Sequence, residues 1–67
     1  MIQVFINGVA EQLAEATSVA GLLVARGLVG KRVAVERNGE IVPKSRHAET
    51  PLAPGNRIEI VVAVGGG

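Results

Sequence analysis

Few residues in this sequence are equipped for chemistry. The chain has no cysteine and a single histidine, and all six of its acidic residues are glutamate. Without Cys there is no thiolate to ligate a metal, attack a carbonyl or close a disulfide. His47 shares one polar stretch with Ser45, but a Ser–His pair needs an orienting carboxylate and oxyanion donors. The chain contains no Asp, and nothing in the sequence suggests an oxyanion site. A lone histidine also falls short of a zinc ligand set, so His47 is expected to be a solvated loop residue. The glycines form no G-x-G-x-x-G series after a strand and no phosphate-binding loop, so no bound cofactor is expected. No residue is assigned a catalytic role, and the chain reads as something other than an enzyme.

The group left over is the C-terminal carboxylate. Gly65-Gly66-Gly67 follows directly on the most strongly apolar stretch, Ile58-Glu59-Ile60-Val61-Val62-Ala63-Val64. Glycine accepts almost any backbone angle and lets another protein close around the main chain. Three extended residues reach roughly 10 Å, enough to carry a carboxylate into a narrow active site on a partner. Gly67 is therefore read as the working group and Gly65 and Gly66 as its tether. A frayed terminus is the ordinary reading of a glycine run; the order of the remaining elements argues against it.

Those elements must hold the tail in place. Residues 2–6 are apolar, with Ile2, Val4 and Ile6 on one face, and Asn7-Gly8 is a strong hairpin signal. Residues 9–14 return as a second strand whose two sides are not cleanly apolar and polar, leaving its register open. Thr17 or Ser18 caps a helix in which Val19, Leu22 and Leu23 recur at helical spacing, and Gly27 supplies the left-handed stop. Gly21 inside that helix costs about 1 kcal/mol relative to Ala. Val33 to Arg37 is a third strand, Asn38-Gly39 repeats the hairpin signal, and Ile41-Val42 makes a short return stopped by Pro43. Lys44 to Thr50 is polar, with room for one helical turn. Leu52 drops an anchor into the core, and Pro54-Gly55 turns the chain into a final strand over 56–64, with Ile58, Ile60 and Val62 inward. The pattern predicts one α+β domain, residues 1–64, in which a helix crosses a mixed sheet, followed by a flexible glycine tail, 65–67. The first and last strands are expected to lie parallel and adjacent in the middle of the sheet.

Composition narrows the partners. Seven basic residues against six acidic ones give a net charge of +1, and the two signs are interleaved. Phosphate-tracking proteins gather their positive charge on one face, and a single aromatic residue, Phe5, offers little for stacking on bases. Nucleic acid is not expected as a partner. Lys31-Arg32 reads as a solvated turn. The absence of a leader pattern at Met1 or of a membrane-length apolar run predicts a cytoplasmic location with no membrane partner.

The ordered series of an Asn-Gly hairpin, a capped helix, Val35-Glu36-Arg37-Asn38-Gly39-Glu40-Ile41-Val42-Pro43, Glu49-Thr50-Pro51-Leu52 and the terminal Val-Gly-Gly-Gly resembles the bacterial sulfur carrier proteins of thiamine thiazole synthesis, the ThiS family. The resemblance covers the chain from Met1 to Gly67. It implies the β-grasp fold of ubiquitin. It implies that a ThiF-like adenylating enzyme uses ATP to activate the Gly67 carboxylate as an acyl adenylate. A persulfide from a cysteine desulfurase system then leaves a thiocarboxylate, which gives its sulfur to a ThiG-like thiazole synthase. Gly21 departs from the charged or larger residue common at that position, and Gly65 stands where some relatives have Ala. The tail alone is shared with the small subunit of molybdopterin synthase and with carriers or modifiers of tRNA thiolation and protein conjugation. An interaction module with an idle tail is the remaining reading.

Phe5 alternates out of step with Ile2, Val4 and Ile6 and so points away from the core. Val61, Ala63 and Val64 are placed with it on the non-core face, as an apolar partner interface beside the tail. Cover by a loop or by the sheet's own twist is the alternative.

Overall fold

The structure is a computed structural model that describes residues 1–63. In chain order it contains β1 (Ile2–Ile6), β2 (Val9–Leu13), α1 (Val19–Ala25), β3 (Val33–Arg37), β4 (Glu40–Ile41), a 3-10 segment (Lys44–Glu49) and β5 (Arg57–Val62). The strands form one sheet in the order β2-β1-β5-β3-β4. As the apolar runs predict, β1 and β5 are parallel neighbours, and β5 is antiparallel to β3 on its other edge.

Alternation decides which face meets the helix. Ile2, Val4 and Ile6 of β1, Val35 of β3, and Ile58 and Ile60 of β5 are buried, and α1 covers them with Val19, Leu22 and Leu23. Each fully buried side chain of this kind is worth about 1.5–3 kcal/mol, so this one interface carries most of the stability. The register Ile2↔Leu13, Val4↔Glu11 resolves the ambiguity of β2. Leu13 and Glu11 share the helix-facing side, and Glu11 is tolerated there because Arg26 Nη1 donates to its Oε2 at 2.9 Å.

The helix is short and held at both ends. Ser18 is the cap: the Gly21 amide donates to its Oγ at 3.0 Å. Gly27, at φ +72°, ends it, with the Gly27 amide donating to the Val24 carbonyl and the Leu28 amide to that of Leu23. This paired closure turns Leu28 back against the core.

Three strand boundaries shift from expectation. The second strand ends at Leu13, one residue short of the expected 9–14. The return strand is Glu40–Ile41 rather than Ile41-Val42, although the Val42 amide still donates to Val35. The last strand runs Arg57–Val62 within the expected 56–64.

His47 is corrected outright. It is 7% exposed, a core residue and not a solvated one. Its Nε2 lies 3.1 Å from the Val42 carbonyl, which can only accept, so the ring donates there. A polar stretch looks like solvated loop in sequence, but the 3-10 turn exposes Lys44, Ser45 and Arg46 while swinging the imidazole inward. The bond to Val42 removes the penalty that an unpaired buried ring would carry.

Candidate functional site

The glycine tail follows β5 in sequence, and that strand is the central one of the sheet, paired on both sides. Beyond its ladders to β1 and β3, it is held by the asparagines of both hairpins. Asn7 (φ 50°) and Asn38 (φ 52°) each open an Asn-Gly turn in the left-handed region. The Asn7 amide donates to the Ile58 carbonyl at 2.8 Å. Its side chain donates to the Ile60 carbonyl at 3.2 Å and accepts from the Ile60 amide at 2.8 Å. Asn38 holds the other edge with two bonds: its backbone amide donates to the Arg57 carbonyl at 2.7 Å, and its Oδ1 accepts from the Arg57 amide at 2.8 Å. Past Val62, the Ala63 amide still donates to the Arg32 carbonyl at 2.9 Å. Val64, Gly65, Gly66 and Gly67 lie outside the described residues.

The outer face of the sheet holds the other predicted site residues. Phe5 and Val61 are 37% and 62% exposed, and Ala63 is exposed as well. They do not form one patch. Phe5 is in register with Arg57, four residues before Val61, which puts the two about 13 Å apart along the strand at ~3.3 Å per residue. Val61 instead pairs with Ala34, and Glu59 and Glu36 form the pair between it and the Phe5 level.

Sequence reasoning missed a groove, although Val61 and Ala63, two of the expected interface residues, line it. α1, the loop after it, the start of β3, the 3-10 segment and the end of β5 surround an open groove of about 710 Å³. Val24 and Val29 beside it are 63% and 68% exposed. The available signal was those two valines, both off the core stripe, close to the Lys31-Arg32 pair. Among the described residues no group of three or more His, Cys, Asp or Glu could hold a metal. The lone imidazole among the described residues, His47, has its ring N–H committed to the Val42 carbonyl. What the geometry offers is a central strand bonded on both sides, with exposed apolar surface around its end.

The model of the ThiS family matches residues 4–67. This chain belongs to the ThiS family. It is 46% identical over 50 residues to the sulfur carrier protein ThiS of Bacillus subtilis, covering 75% of this chain and 76% of that protein. The crystal structure of the thiamine biosynthesis protein ThiS from Geobacter metallireducens superposes with a TM-score of 0.83 at 29% identity, over 98% of this chain and all of that one. The mixed five-stranded sheet with one helix is thus the ubiquitin-like β-grasp of the ThiS proteins. The chain is also 41% identical over 66 residues to a thiazole synthase of Paramagnetospirillum magneticum and 32% identical to one of Magnetococcus marinus. It spans 98% of its own length in each match but only 20% of those proteins.

Proposed function

We propose that this chain is the sulfur carrier for thiazole formation in thiamine biosynthesis, acting as a co-substrate and not as a catalyst. The observation that carries the reading is the family match through residue 67, which takes in the whole glycine tail. The Gly67 carboxylate attacks the α-phosphate of ATP on an adenylating enzyme, pyrophosphate leaves, and an acyl adenylate forms. A persulfide sulfur from a desulfurase system attacks the acyl carbon and displaces AMP. Reductive cleavage of the resulting S–S bond by a thiol leaves the thiocarboxylate on Gly67. Transfer of that sulfur to thiazole synthase, with water supplying the oxygen, restores the carboxylate. ATP belongs to the partner, since this chain has no phosphate-binding loop.

The two thiazole synthases with a ThiS-like fifth support thiazole synthase as the acceptor. Gly65 and Gly66 line the partner's channel in this reading, with Phe5 and the separate Val61, Ala63 and Val64 group as contacts. The setting is cytoplasmic; among the described residues no helix is long and apolar enough to cross a membrane.

The test is mass spectrometry of the C-terminal fragment after incubation with ATP, a sulfur donor and the adenylating enzyme of the same cell. Exchange of one oxygen for sulfur on the Gly67 fragment is the expected result, and deletion of Gly67 should abolish it. An unchanged fragment, with an enzyme that activates a control carrier, would overturn the reading. Phe5→Glu should keep the fold and slow activation; equal rates would remove Phe5 from the interface.

A further inference from the structure

Among the described residues, the groove beside α1 carries charged side chains of one sign. Its charged lining among those residues consists of Lys31, Arg32 and Lys44, with no carboxylate side chain. All three cations are exposed, on a chain whose net charge is only +1. On the outer sheet face, by contrast, Arg57 lies among Glu59 and Glu36. The walls are aliphatic, from Leu23 and Leu28 to the exposed Val24 and Val29. A site for a polar metabolite needs several converging hydrogen-bond groups, and His47, the one buried polar side chain among the described residues, donates its ring N–H to Val42. Apolar walls under a cationic rim suit a polypeptide that brings apolar side chains between carboxylates. Ala63 lines the same groove, and the four residues after it span at most about 14 Å. A protein seated in the groove is therefore also within reach of Gly67.

We propose that this groove docks an acidic segment, with apolar side chains at its centre, of the thiazole synthase that takes up the carried sulfur. This rests on the carrier reading above, and takes the synthase as occupant over the adenylating enzyme because two thiazole synthases carry a ThiS-like fifth within their own chain.

The experiment measures binding of the full chain to the thiazole synthase of the same organism by titration calorimetry, at low and high salt, for wild type, Lys31→Glu/Arg32→Glu/Lys44→Glu and Val29→Glu. Thiocarboxylate formation by the adenylating enzyme is assayed in parallel, and a two-dimensional amide spectrum confirms each fold. The expected result is a dissociation constant raised at least about tenfold in the triple variant, with a smaller rise in Val29→Glu. Added salt should weaken wild-type binding and leave the triple variant nearly unaffected. Unchanged affinity for the synthase in both variants would overturn the proposal. So would an undetectable wild-type complex, or a triple variant that loses activation while keeping synthase binding, which would give the groove to the adenylating enzyme. Failure of the carrier reading is separate: wild type would then form no thiocarboxylate in the parallel assay.

Discussion

Asn7 and Asn38 each perform two tasks in one conformation. Their left-handed backbone makes the hairpin, and the same turn aims the side-chain amide at β5. Asn-Gly was legible as a turn because its cause is local. The second task was not, because the partners lie 53 and 19 residues away in sequence. His47 was misread for a related reason: its neighbours in sequence are polar, while its neighbours in space are core. His47→Ala would leave the Val42 carbonyl without a donor and open a void, and should cost roughly 2–4 kcal/mol in urea denaturation. His47→Gln, which can still donate, should recover part of that loss. Equal stability of wild type and His47→Ala would mean that the imidazole is not the partner of Val42.

At the level of elements, α1 depends on its closures more than on its sequence. It has only seven residues, too few to be stable alone, and carries a glycine in its first turn. A Cβ built at Gly21 would meet Ser18 Oγ at 3.5 Å and Thr17 Cγ2 at 3.6 Å, ordinary contact distances. Gly21→Ala should therefore raise stability by about 0.5–1 kcal/mol, read as a higher melting temperature with activation unchanged. A lower melting temperature would show that the first turn needs the glycine. Capping, hairpins and the parallel β1–β5 pair were readable because propensity and alternation agree there with the final packing. The groove was not, since its walls come from three stretches separated in sequence, 20–34, 44–48 and 61–63, and no local pattern joins them. Nor was the separation of Phe5 from Val61, which is set by the register of a parallel pair and not by either strand's sequence.

For the molecule as a whole, one thin core does the work of stabilisation. A chain of 67 residues is expected to have a folding free energy of about 3–10 kcal/mol. Leu22 is 1% exposed between helix and sheet, and Leu22→Ala should cost about 2–5 kcal/mol. A large fraction of that variant should be unfolded at 37 °C, seen as loss of dispersion in its amide spectrum. A fully folded Leu22→Ala would show that the sheet is stable without the seal of α1.

The placement of β5 between two bonded neighbours also has a mechanical side. A pull on the C-terminal end of an edge strand peels its hydrogen bonds away one at a time. The same pull on β5, resisted through β1 beside it, loads the bonds to β1 and β3 together and in shear, with Asn7 and Asn38 adding side-chain bonds to the load. A small domain with modest equilibrium stability is thereby strong in one direction, the direction in which a motor protease gripping the chain behind β5 would pull. Such a motor should stall here more often than on a domain of equal stability whose last strand lies at the sheet's edge.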